Sequence, residues 1–202
     1  MTLAIDYYFA PQSPWTYLGH QRLGEIASAA GAQIRVRPID LGRVFPVSGG
    51  VQLKDRPAQR KAYRLVELAR FRDHLKLPLN LEPKHFPVVP TMASKLIIAV
   101  QQALGEPAAF KVAGALMAAV WVQERDIASP QTLAKVLDEC ALPAHCLAEA
   151  ESVSVQTAYD HYTDTAIELG VFGAPTYVLK GVLYWGQDRL MFLEQALRDV
   201  AV

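Results

Sequence analysis

The stretch Leu3-Ala-Ile-Asp-Tyr-Tyr-Phe9, followed closely by Pro11 and then by Ser13-Pro14, constrains this chain more than any other. Its aliphatic and aromatic residues predict a strand, and Pro11 turns the chain into a loop. Ser13-Pro14 matches a helix start, with serine near the N-cap and proline in the first turn, where a backbone N–H is not needed. Leu18, Leu23, Ile26 and Ala27 recur at helical spacing, and Gly31 supplies a stop. Gln33 to Val36 and Ile39 then predict a second strand. A strand, helix and strand of this length form a βαβ unit, whose crossover is expected to be right-handed.

From about Leu53 to Ala166 helical periodicity dominates, broken by short proline-marked joints. Helices are predicted from about Pro57 through Leu75, over Thr91 to Leu104, and from Pro107 to about Gln123. Ser129-Pro130 starts another to Cys140, Pro143 starts a short one, and the last runs from Val153 to about Leu169. No repeat or low-complexity linker interrupts them, which predicts an inserted lobe rather than a tethered domain. Thr176–Leu179 and Val182–Trp185 then flank Lys180-Gly181, a two-residue hairpin signal. Asp188 opens a final helix with Leu190, Leu193, Ala196 and Leu197 on its apolar side. This order predicts an α/β, thioredoxin-like fold with a large all-helical insertion. The expected thioredoxin-like parts are residues 1–42 and 166–202, with the insertion over 43–165.

At 202 residues and 51% hydrophobic content, the chain can bury a sizeable core. Lys+Arg and Asp+Glu are both 20, so no global field draws it to nucleic acid or to an anionic membrane. Any anion site must be local. The N-terminus lacks a basic segment and Asp6 interrupts its short apolar run, so it predicts a strand rather than a signal peptide. The longest uncharged apolar stretch, Val112 to Val122, falls short of the roughly 18 residues that span a bilayer. Cys140 and Cys146 have neither metal-site nor Cys-x-x-Cys spacing and read as buried structural thiols. The expectation is a soluble cytoplasmic protein with no nucleic-acid or membrane partner.

Ser13-Pro-Trp-Thr16 stands where a thioredoxin-like redox protein carries Cys-x-x-Cys, and neither thiol is present. A hydroxyl cannot form a disulfide, but at a helix N-terminus it can donate to a thiolate supplied by another molecule. The plain alternative is a serine that only caps the helix. Ala174-Pro175 precedes the hairpin, at the point where this fold places a cis proline facing the active-site helix. A cis bond there would leave the Ala174 backbone free to pair with an extended cysteinyl ligand as an added strand. A trans proline starting an edge strand is the alternative.

Gln187-Asp188 begins the last helix, where Asp188 either caps or holds the ammonium of an α-amino acid. Arg60 and Lys61 matter only if their helix overhangs the site, and otherwise form a solvated face. Trp15, Tyr17, Phe86, Trp121 and Trp185 are candidates for an aromatic pocket, or for core packing. His20, two turns beyond Ser13, is expected at the surface rather than as a general base.

Taken together, Tyr7-Tyr-Phe-Ala-Pro-Gln-Ser-Pro-Trp-Thr-Tyr-Leu18, Pro38-Ile-Asp-Leu41, Gly170-Val-Phe-Gly-Ala-Pro-Thr176 and Tyr184-Trp-Gly-Gln-Asp-Arg-Leu190 extend nearly from end to end. In them the chain resembles the 2-hydroxychromene-2-carboxylate isomerase family, DsbA-like relatives of the kappa-class glutathione transferases. The resemblance implies a glutathione-dependent isomerase of aromatic catabolism. It would interconvert 2-hydroxychromene-2-carboxylate and trans-o-hydroxybenzylidenepyruvate, as a homodimer. By the same resemblance Ser13 contacts the glutathione sulfur and Ala174, before Pro175, pairs with its cysteine. Gln187 and Asp188 bind the γ-glutamyl end, and Arg60 addresses glutathione from the insertion. Relatives commonly carry an asparagine in the loop entering the insertion, where this chain reads Pro46-Val-Ser-Gly-Gly-Val-Gln-Leu53. The rival expectations are a kappa-like transferase that releases a stable conjugate and a non-catalytic thioredoxin-like module that binds a peptide or a small thiol.

Overall fold

Alternate residues of β1 (Ala4–Phe9) face opposite sides of a sheet, and both sides are buried in different company. In the computed structural model, which describes residues 3–200, this strand lies inside a mixed four-stranded sheet of order β2-β1-β3-β4. It pairs in parallel with β2 (Gln33–Pro38) and antiparallel with β3 (Thr176–Leu179), which pairs antiparallel with β4 (Val182–Trp185). Between β1 and β2 runs α1 (Pro14–Ala29). Between β2 and β3 lie α2 (Leu41–Ser48), α3 (Ala58–Leu75), α4 (Thr91–Leu104), α5 (Glu106–Trp121), α6 (Pro130–Glu139), α7 (His145–Glu149) and α8 (Val153–Glu168). A 3-10 turn at Gln187–Arg189 leads into the last helix, α9 (Leu190–Val200).

Ile5, Tyr7 and Phe9 join Tyr177, Leu179, the apolar sides of α1 and α9, and the interior of α4 and α5 in one continuous core. Tyr8 and Val178, on the opposite face, pack with Ile39, Val44 and Ala166 beneath α2 and α8. The helical segment therefore covers both faces of the sheet. It also closes the outer edge of β2. Glu106 accepts from the Val36 N–H at 2.8 Å, and the Gln101 amide donates to the Val36 carbonyl at 2.9 Å. Side chains from α4 and α5 so occupy backbone groups that an edge strand would leave open.

The Lys180-Gly181 turn joins β3 to β4 as predicted, with both residues at positive φ (49° and 81°), the backbone of a two-residue hairpin turn. One segment departs from expectation. Leu41–Ser48 is helical, and its last residues belong to the stretch expected as a loop entering the insertion. Asp40 caps it by accepting from the Gly42 N–H at 2.7 Å, and Gly49 ends it at φ 75°. Cys140 and Cys146 are buried and free, and burial pushes both thiols up, so neither is poised for redox chemistry.

Candidate active site

The Tyr8–Thr176 pair ends the ladder between β1 and β3, and beyond it the two strands diverge into the segments that carry the candidate chemistry. On one side Phe9 leads through a tight turn, closed by the Ser13 N–H donating to the Ala10 carbonyl at 3.0 Å, into α1. On the other side Ala174-Pro175 enters β3 through a cis peptide bond, which settles the choice between cis and trans that the sequence left open. The ladder thus brings Ser13 and Pro175 to one end of the sheet, although they are far apart in the chain.

Ser13 is the N-cap of α1, and its hydroxyl oxygen accepts from the Thr16 N–H at 3.3 Å. The plain capping role is therefore real. Because the cap uses an acceptor lone pair, the hydroxyl proton stays free to donate outward. Pro14 has no N–H, and among the described residues the Trp15 N–H has no protein acceptor, so it faces the site as a second donor at the positive end of the helix. Beside them the Thr16 hydroxyl is fully buried without a protein partner.

Across the cleft, neither the N–H nor the C=O of Ala174 takes part in a backbone hydrogen bond among the described residues, whereas the next carbonyl, that of Pro175, accepts from Gly186 at 2.9 Å. A short stretch of backbone is left open at the same end of the sheet as Ser13. Gly186 also places the Gln187–Arg189 turn against α1. Gln187 is 5% exposed with its Nε2 unpartnered, and it packs on Gly19, where an added Cβ would lie 2.8 Å from the Gln187 Cβ and 2.7 Å from the Tyr177 hydroxyl. Burial, and then the nearby Asp188 carboxylate, push the Tyr177 phenol well up, so it stays protonated. Asp188 itself is half-exposed and paired with Arg189 at 2.5 Å.

Arg60 lies exposed in the first turn of α3 and forms no ion pair among the described residues. Lys61 is occupied, donating to the Lys54 carbonyl at 2.7 Å. The inward face of α3 meets α1 where Phe71 packs edge-on against Trp15 at 5.9 Å. Tyr17, farther along α1, donates to the carbonyl of Pro78, beyond the end of α3, at 2.6 Å. Both contacts lie in the first turn of α1, so the C-terminal part of α3 and the segment just after it pack beside the start of that helix.

Two expectations are corrected. The five aromatic candidates do not form one pocket. Trp15 packs on Phe71, Phe86 on the fully buried Trp121, and Trp185 on the exposed Phe172, while Tyr17 serves the Pro78 contact. His20 is not a surface residue. Its ring stacks on Phe110 at 3.9 Å, donates from Nε2 to the Phe110 carbonyl at 3.1 Å, and accepts at Nδ1 from the Tyr7 hydroxyl at 3.3 Å. Burial lowers its pKa to about 4, so the ring is neutral near pH 7. The ring is not fully enclosed, and it borders a cavity of about 180 Å³ that Tyr17, Gln21, Leu77 and Gly114 also line. The sequence signal for this burial was Gly114, whose missing side chain admits the ring; a Cβ there would lie 2.8 Å from His20 Nε2.

A serine-capped helix start, an open cis-proline strand edge and a mixed sheet with a helical insertion define a DsbA-like thioredoxin protein. The DsbA-like thioredoxin domain family matches residues 4–198. A 2-hydroxychromene-2-carboxylate isomerase of Pseudomonas putida is 32% identical over 201 residues, covering 96% of this chain and 94% of that relative. A solved 2-hydroxychromene-2-carboxylate isomerase superposes with a TM-score of 0.80 at 29% identity, over 98% of this chain and 95% of that one. This chain belongs to the 2-hydroxychromene-2-carboxylate isomerase family of DsbA-like proteins. The cytosolic disulfide reductase DsbM from Pseudomonas aeruginosa, solved with GSH, shares the fold over 97% of this chain and 100% of that one (TM-score 0.68, 18% identity).

Proposed function

We propose that this protein is a glutathione-dependent isomerase that interconverts 2-hydroxychromene-2-carboxylate and trans-o-hydroxybenzylidenepyruvate. The observation that carries the cofactor assignment is the pairing of two unused features at one end of the sheet. The open backbone of Ala174 suits a cysteinyl residue added as a strand. The Ser13 hydroxyl and the Trp15 N–H suit its sulfur as a thiolate. When bound, glutathione would supply a thiolate that adds reversibly to the conjugated carbon, letting the former double bond turn before the same C–S bond breaks and the alkene returns.

The chain's own residues would do the rest. Ser13 donates a hydrogen bond that lowers the energy of sulfur as an anion, and the start of α1 adds positive potential. Gln187, with an unpartnered amide, and Asp188 would hold the γ-glutamyl end, while Arg60 would address a carboxylate from above. Thr16 and Ser13 offer no thiol, which argues against dithiol redox chemistry.

No described helix is long and apolar enough to cross a membrane. With both cysteines free, a cytoplasmic setting fits. The family resemblance implies a homodimer, which sedimentation would test.

The deciding experiment follows isomerisation of 2-hydroxychromene-2-carboxylate with and without glutathione and analyses the products. The expected result is glutathione-dependent interconversion with the thiol recovered unchanged. Accumulation of a stable glutathione conjugate would make the protein a transferase, and binding without turnover would make it a thiol-binding module.

A further inference from the structure

Among the arginines of this protein, Arg64 is placed unusually. It lies on the inward face of α3, one turn before the fully buried Leu68 and two turns before Phe71, which touches Trp15. Its guanidinium carbon stands 5.1 Å from the centre of the Phe86 ring and 5.8 Å from that of Trp121. One terminal nitrogen of the guanidinium is buried without a hydrogen-bond partner, and so is the indole Nε1 of Trp121, a residue with no exposed surface. Two neighbouring donors thus lack an acceptor.

Charge balance makes the position more unusual. Arg64 forms no ion pair among the described residues, and neither do Arg56 and Arg60, its positive neighbours toward the start of α3. Burial, and then repulsion from Arg56, lower the Arg64 pKa to about 10, which still leaves it charged. A partly desolvated guanidinium beside aromatic rings, with like charge behind it and no carboxylate in front, is unfavourable until an anion arrives.

We propose that Arg64, seated on the Phe86–Trp121 pair, binds the carboxylate of the aromatic acid substrate and so selects acids over neutral aromatics. The inference rests on the isomerase reading above. Two sources could supply a carboxylate, the substrate and glutathione. Arg64 lies one turn further along α3 than Arg60, toward the contact with Trp15, and beside aromatic rings. That setting matches an aryl acid better than a peptide terminus. Phe86, half-buried beside Arg64, adds apolar surface for an aromatic acid, and the planar guanidinium offers a two-pronged edge to its carboxylate.

The test uses chromone-2-carboxylate, an acid that cannot isomerise, and chromone, its neutral counterpart. Both are titrated by calorimetry into the wild type, Arg64→Lys and Arg64→Met in the presence of glutathione. Arg64→Met is expected to weaken the acid by about tenfold or more, as loss of a charge-assisted pair should, while chromone and glutathione stay within about twofold. Arg64→Lys keeps the charge and the stem and should fall between them, which guards against a Met variant that folds poorly. Unchanged acid affinity in Arg64→Met overturns the proposal. So does a parallel loss for acid and chromone, which would make Arg64 a packing residue, or a loss for glutathione, which would assign it to the cofactor. If the wild type does not isomerise but its acid binding depends on Arg64, the isomerase reading fails and the Arg64 assignment stands. If glutathione-dependent isomerisation is found with no such dependence, the Arg64 assignment fails alone.

Discussion

Gly19 of α1 and Gln187 at the start of the C-terminal turn lie so close that a single methyl group on Gly19 would sit 2.8 Å from the Gln187 Cβ. This contact sets the distance between the helix that begins at Ser13 and the turn that carries Asp188. In the proposed function those are the two ends of one tripeptide site.

Gly19→Ala should therefore disturb both stability and the site. The new methyl meets the Tyr177 hydroxyl as well as Gln187, and both neighbours are held in the core. Overpacking of this kind costs about 1–3 kcal/mol, or roughly 3–10 °C in Tm for a chain of this size. Thermal melts should show that loss, and calorimetry should show weaker glutathione binding as the turn moves away from α1. Wild-type values for both would show that the contact yields freely.

Replacing Ser13 with Ala should separate capping from chemistry. Loss of the cap to the Thr16 N–H costs about 1 kcal/mol of stability. Loss of the hydrogen bond to a thiolate should lower kcat/KM for isomerisation by about 10- to 100-fold. It should also raise the pKa of bound glutathione, followed by ultraviolet thiolate absorbance against pH. A variant that isomerises like the wild type would remove Ser13 from the mechanism.

His20 predicts how stability depends on pH. Its pKa is about 4 in the folded protein, against about 6.5 in an unfolded chain. Between these values the unfolded chain binds a proton that the native ring does not, so acid favours unfolding. The contribution is complete above about pH 6.5 and is lost on acidification toward about pH 4, roughly 3 kcal/mol in all. Denaturant unfolding across this range should show a shallower pH dependence for His20→Gln than for the wild type, whatever the variant's stability at neutral pH. Parallel curves would mean that the imidazole protonates within the fold.

The double substitution Ser13→Cys with Thr16→Cys should restore redox chemistry. The positions are three residues apart at a helix start, and thiols there have pKa values lowered from about 8.5 to about 7 or below. Insulin reduction should appear in this variant and be absent from the wild type, whose own cysteines are buried.

Much of the fold was legible because it rests on local signals. Ser13-Pro14 specified where α1 begins, and Lys180-Gly181 specified the hairpin. The element order placed Pro175 opposite the start of α1 but left cis and trans open, and the structure has the bond cis. Helix α2 was missed because an internal proline and a Gly-Gly end resemble loop chemistry. Its stability depends on Asp40 as cap and on Val44 buried under the sheet.

Local pattern also left the surroundings of the candidate site unresolved. Ser13, Ala174, Gln187, Asp188 and Arg60 were singled out by type and place. No spacing showed that Ala174 has an open backbone edge, or that Gln187 lies against Gly19 with its amide unpartnered. His20 looked like a surface group because its immediate sequence neighbours are polar, while the residues that bury it, Tyr7 and Phe110, come from another strand and another helix. No local pattern singles out Arg64, because Phe86 and Trp121, the rings beneath it, come from distant segments of the chain. That a serine starts the helix where a redox cysteine would stand follows from local residues alone, because capping and proline preferences act within a few positions. Which partners that serine has follows from the folded chain, because burial, an unused hydrogen bond and an unpaired charge are set by segments that meet in space.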